Sequence, residues 1–177
     1  MIRKKLLTAA GFVAAACGTL TLFLPRLVRA GEQTVSYPSG YRAWTFLHSS
    51  LAPPTFGGFS KIPCVKPCTN GIFYFYANPP AMTGLRTGSY PEGAVIAEEM
   101  LEYRVSEKGY AGEGRRILTA VMVKDSHRHA STGGWGFGNF DEGSNENTLD
   151  AAAQQACFQC HVARKDQGYV FATYSDR

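Results

Sequence analysis

Cys157-Phe158-Gln159-Cys160-His161 is the segment of this 177-residue chain whose residue types and spacing point most directly to chemistry. Two thiols separated by two residues of a helical turn lie under one edge of a macrocycle. They can add to the two vinyl groups of a haem while the adjoining imidazole reaches the iron. A zinc site would want a further Cys or His pair at ligand spacing. The remaining candidates, Cys64 and Cys68, are tightly spaced, and Thr69 stands where a second haem motif would need His. A thioredoxin-type site would set the motif at a helix start after a strand, whereas here it closes a helix near the C-terminus of a β-rich chain. The spacing therefore predicts one covalently attached c-type haem, bound through Cys157 and Cys160, with His161 as the proximal metal ligand.

The other reactive side chains suit structural roles. His127 and His129 flank Arg128 in a polar loop and read as a solvated face, and His48 reads as a dipole partner at the C-terminus of an early helix. Gly133 to Gly138 matches a phosphate-cradling loop only in glycine content, since no helix follows it. Cys64 and Cys68 predict a disulfide closing a small loop in an oxidising compartment, the alternative being two thiols.

Compartment follows from the first thirty residues. Met1 to Lys5 is charged, Leu6 to Leu24 is apolar, and Val28-Arg29-Ala30 ends a short polar stretch after Pro25. That is the pattern of a secretory signal peptide cleaved after Ala30, with a retained membrane anchor as the alternative, because about 20 apolar residues span a bilayer. Cys17 follows three alanines without the leucine of a lipobox. In either case the domain, residues 31–177, is exported to the periplasm, and it stays on the inner membrane only if the leader is retained. The formal charge of +4 belongs to this leader, which holds Arg3, Lys4, Lys5, Arg26 and Arg29 and no acid. Residues 31–177 sum to −1, with 13 basic against 14 acidic side chains, so no nucleic-acid partner is expected.

The elements that must position the motif are mostly strands. Residues 37–49 have apolar side chains at helical spacing behind Pro38 and predict a short amphipathic helix. Residues 51–69 read as a long loop, and the aromatic run 72–77 as a buried strand. A short helix is expected within 81–90 and a second strand over 94–105. A glycine-interrupted hairpin loop over 109–114 leads to a third strand over 116–124. Alternation of aromatic with small or polar residues predicts a fourth strand over 135–140. A helix over 149–161, capped by Asn147 or Thr148, ends on the Cys-x-x-Cys-His run. The expected fold is α+β, mainly β: an antiparallel sheet of about four to five strands flanked by an N-terminal helix and a C-terminal haem-bearing helix.

Several segments, in order along nearly the whole exported chain, resemble the cytochrome P-460 and cytochrome c′-beta family. They are Tyr41-Arg42-x-Trp44, Tyr76-Ala77-Asn78-Pro79, Tyr90-Pro91-Glu92-Gly93, Val123-Lys124-Asp125, Gly134-Trp135-Gly136-Phe137, Cys157 to His161 and Tyr169-Val170-Phe171. The resemblance implies a β-rich monohaem fold, usually a homodimer, whose five-coordinate iron is open to small molecules on its distal face. Enzymatic members cross-link a lysine to the haem and use a distal arginine and carboxylate on hydroxylamine. Members of the c′-beta type lack the cross-link, have an apolar pocket capped by phenylalanine, and bind nitric oxide or carbon monoxide. By motif, the lysine position falls on Glu98, the arginine position on Phe73 and the carboxylate position on Ala120.

These departures favour the c′-beta type. Without an amine at position 98 no such cross-link forms there, and without a base the oxidation of hydroxylamine loses its proton acceptor. Phe73, with neighbouring Phe75, either forms an apolar distal wall or is ordinary strand core, and Glu98 either points outward beside Glu99 or is a pocket carboxylate and base. The expected partners are a small diatomic ligand such as nitric oxide and a redox partner protein. Two rival readings remain: an enzyme oxidising hydroxylamine or nitric oxide with Glu98 as base, and a six-coordinate electron carrier using Met82, Met100 or Met122.

Overall fold

Residues 71–77, a run of aromatic and β-branched side chains with high strand propensity, form the second strand of a five-stranded antiparallel sheet. The computed structural model describes residues 34–52 and 71–174. The leader with its cleavage site and Cys17, most of the loop over 51–69, and Cys64 and Cys68 lie outside the described residues. Strands β1 (Thr45–Ala52), β2 (Gly71–Ala77), β3 (Val95–Val105), β4 (Ala111–Lys124) and β5 (Trp135–Asp141) pair in sequence order as a meander. Helices α1 (Pro79–Thr87) and α2 (Ala151–His161) complete the mainly β, α+β fold anticipated above.

Both faces of the sheet are used. On one, Leu47, Ala77, Ile96, Met122, Trp135 and Phe137 form a core with Ala81 and Met82 of α1, and Cys157 and Phe158 of α2 pack against it. On the other, the chain before β1 lays Val35 and Tyr41 over Ala97, Val121 and Phe140, with Tyr37 at their edge. Burying one face under helices and the other under an N-terminal strap removes both apolar surfaces from water.

The predicted helix over 37–49 is replaced by a single 3-10 turn, Tyr41–Ala43, followed by β1. Backbone pairing outweighs the apolar periodicity here: every residue of β1 except Leu47 is paired with β2, and Phe46 packs edge-on against Tyr74 and Tyr76. The hairpin expected at 109–114 tightens to residues 106–110, where Ser106 and Tyr110 pair through their backbones. Gly114 stays in the strand because it makes room: a Cβ there would lie 2.6 Å from Arg104 Nε.

Helix caps also differ from the sequence reading for local reasons. Asn78 caps α1, accepting from Ala81 N at 3.0 Å, so the helix starts at Pro79 rather than Ala81. The same Asn78 oxygen accepts from Val95 N at 2.9 Å and its amide donates to Gly93 O at 2.9 Å, which ties α1 to the start of β3. Asp150, not Asn147 or Thr148, caps α2 by accepting from Ala153 N at 2.8 Å. Asn147 instead accepts from Asn139 N and Leu149 N, each at 3.0 Å, and so anchors the approach to α2 on β5.

Candidate functional site

Helix α2 brings the motif onto the core-bearing face of the sheet, beside β5. Cys157 is half-buried and Cys160 exposed, both as thiols. His161 closes the helix with its ring 5.0 Å from that of Phe137 and 5.1 Å from that of Phe171. Its Nδ1 lies 2.7 Å from the carbonyl oxygen of Tyr169. A carbonyl only accepts, so Nδ1 carries the hydrogen and Nε2 keeps the lone pair a metal ligand needs. Burial holds the imidazole pKa below its usual 6.5, opposed by the Tyr169 carbonyl, which favours the neutral ring that can ligate.

Presenting that carbonyl requires an unusual backbone. Tyr169, at φ 68, is the one non-glycine residue among those described with a positive φ. Its N–H donates to Arg164 O at 2.7 Å, and the preceding Gly168 is itself left-handed at φ 67. Trp135, 1% exposed, donates from Nε1 to Gly168 O at 2.9 Å. The ring of Tyr90 packs edge-on against Trp135 at 5.3 Å and would sit 2.7 Å from any Cβ at Gly168, and burial pushes its hydroxyl up to about 12. Lys124 Nζ lies 5.7 Å over the Trp135 ring and donates to Gly133 O at 3.0 Å. Tyr90, Lys124, Trp135 and Tyr169 therefore converge on the loop that orients His161.

The remaining predicted residues fall on the same face. Antiparallel register aligns His48 with Phe75, Phe75 with Glu98, Glu98 with Ala120 and Ala120 with Asn139. Residues directly opposite share a face, so Phe75, Glu98 and Ala120 form one row across the sheet. Phe75 packs against the same core as Cys157 and Phe158. Phe73, two residues away along β2 on the same face, is 5% exposed and buries against Met100 with Ile117 and Leu118 at its edge. Glu98 is half-buried on the α2 face, whereas Glu99 points to the opposite face. Met82 and Met122 lie in the core beside α1, and Met100 lies with Phe73.

Glu99 has a different role. It is 1% exposed and takes two hydrogen bonds from Arg42 Nε at 3.1 and 3.2 Å, and Arg42 Nη2 also reaches its Oε1. This pair explains the Tyr41-Arg42-x-Trp44 segment as a strap across the outer face.

Two histidines depart from their sequence reading. His129 is buried, not solvated, with its ring against Gly136, and burial lowers its pKa. His48 lies on β1, half-buried and stacked on Phe75 with ring centroids 4.4 Å apart. No sequence signal marked it, because its facing depends on the pairing of β1 with β2.

Two thiols separated by two residues on α2, an imidazole in the ligating tautomer and the rings of Phe137, Phe158, Tyr169 and Phe171 beside them suit a haem in both donor set and apolar surroundings. Among the described residues, no group of three or more His, Cys, Asp or Glu is arranged to hold a bare metal ion. Sheet, helix and donor set thus define a β-rich haem protein. The family model Cytochrome P460 matches residues 38–172, and the chain belongs to the cytochrome P460 family. Comparison with curated proteins gave no match.

Proposed function

We propose that the chain is an exported monohaem cytochrome of the c′-beta type that binds a neutral diatomic ligand, nitric oxide foremost. Cys157 and Cys160 hold the haem through thioether bonds, and Nε2 of His161 is its proximal ligand. Haem held there would supply an iron able to bind small molecules. What supports the ligand class is the row of Phe75, Glu98 and Ala120 on the face that carries His161. It offers no amine for a cross-link and no guanidinium for an anionic substrate. Phe75 and Ala120 are apolar and half-buried, and an apolar wall penalises a charged ligand more than a neutral diatomic. Tyr169 holds the imidazole in one orientation.

The leader pattern supports export to the periplasm, either cleaved after Ala30 or retained as an inner-membrane anchor. A homodimer served by a redox partner protein accompanies this reading. Glu98 favours a second one: half-buried on the same face, it could serve as base in an enzyme that oxidises hydroxylamine.

The deciding experiment uses protein matured with covalent haem. A ferrous spectrum that carbon monoxide changes, haem retained through denaturation, and no steady-state hydroxylamine turnover with an electron acceptor are expected. Robust turnover would replace the binding function by the enzymatic one, and a ferrous spectrum unaffected by carbon monoxide would point to six-coordinate iron.

A further inference from the structure

The pairing of β1 with β2 is irregular at one place. Phe46 pairs with Tyr76 and His48 pairs with Phe75, so Leu47 is an extra residue in β1. In an unbroken strand, residues 46 and 48 would share a face. The bulge separates them. Phe46 packs on Tyr74 and Tyr76 of the outer face, Leu47 turns into the core and is 7% exposed, and His48 turns onto the α2 face. Bulges commonly re-aim a side chain next to a functional site.

What the bulge aims His48 at is Phe75, with the two rings stacked at an interplanar angle of 29°. Phe75 in turn pairs with Glu98. His48 and Glu98 therefore flank Phe75 from neighbouring strands, two interstrand steps of about 4.8 Å apart. Among the described residues, no hydrogen bond engages the ring nitrogens of His48, although the ring is half-buried. An imidazole stacked on a phenyl ring is held in position while its edge N–H stays available to a third group.

We propose that His48 is the hydrogen-bond donor of the ligand pocket, and that the pocket selects small ligands whose far atom accepts a hydrogen bond. This rests on the proposed function, since it needs a ligand to bind on the side of the haem facing β1–β3. Phe75 and Ala120 then supply the apolar wall, and His48 adds discrimination among ligands of similar size. Nitric oxide is favoured over carbon monoxide, and fluoride is the acceptor probe for the ferric protein.

The test uses full-length haem-loaded protein, its His48→Phe variant, which keeps a ring on Phe75, and His48→Gln, which keeps a donor. Fluoride affinity of the ferric form and the carbon monoxide stretching frequency of the ferrous form are measured. His48→Phe is expected to weaken fluoride binding about tenfold, equivalent to about 1.4 kcal/mol, and to raise the stretching frequency, with His48→Gln intermediate. Unchanged fluoride affinity and frequency in His48→Phe, with carbon monoxide still bound, overturn the role of His48 and leave the gas-binding function standing. A wild-type ferrous spectrum that carbon monoxide does not alter overturns both.

Discussion

The imidazole Nδ1 of His161 lies 2.7 Å from the main-chain oxygen of Tyr169, and Tyr169 reaches that position only in the left-handed region, at φ 68. Non-glycine residues in such conformations carry about 1–3 kcal/mol of strain, which the surroundings must offset. Here the offset comes from Trp135, Tyr90 and the hydrogen bond from Tyr169 N to Arg164 O. The orientation of the imidazole is thus maintained in part by Tyr90 and Trp135, residues far from it in sequence.

Trp135→Phe should lower stability by about 1–2 kcal/mol, because it leaves the Gly168 carbonyl without its indole donor and preserves most of the packing. Urea unfolding followed by circular dichroism measures this. A midpoint equal to wild type would show that the indole hydrogen bond contributes nothing net.

Gly168→Ala should cost more, about 2 kcal/mol or above, since it combines strain at φ 67 with overlap of the new Cβ and the Tyr90 ring. Pairing it with Tyr90→Ala separates the two causes. In that background the penalty should shrink to the backbone share.

Asn78→Ala should destabilise by about 2 kcal/mol, removing the cap of α1 together with its links to Val95 and Gly93. Asn78→Asp keeps the acceptor and should recover the greater part. Equal losses in both variants would shift the weight to the amide N–H bond with Gly93.

Arg42→Ala should cost about 1–2 kcal/mol, because Glu99 is buried while Arg42 is largely in water, so screening limits the value of the pair. Replacing both by Ala and Leu should be less damaging than losing Arg42 alone. A double-mutant cycle in thermal unfolding reads out the coupling.

His129 supplies a pH dependence. Burial lowers its folded pKa below the usual 6.5, so the unfolded chain binds the proton more readily. Its contribution to stability is complete above about pH 6.5 and declines as pH falls from there through the folded pKa. His129→Gln should flatten the fall in unfolding free energy between pH 7 and pH 5. An unchanged slope would assign the effect to other groups.

Much of this protein was legible in its residues alone. Cys157, Cys160 and His161 stand out as candidates by spacing, and the strands expected over 72–77, 94–105, 116–124 and 135–140 follow from alternation and β-propensity, because both are local properties. The early helix over 37–49 failed because apolar spacing is blind to a distant partner strand, and β1 is a strand only because β2 pairs with it. Phe73 could not be separated from Phe75, nor Glu98 from Glu99, by composition. Sheet register decides which side each residue faces, and one bulge at Leu47 turns His48 to the face opposite Phe46. The same holds for Tyr169, whose carbonyl meets His161 through a backbone conformation that only the packed tertiary structure can hold. The sequence by itself determined the candidate donor set and most of the strands, since these depend on spacing along the chain. The tertiary structure decided which side chains share the site, since that depends on pairing between segments remote in sequence.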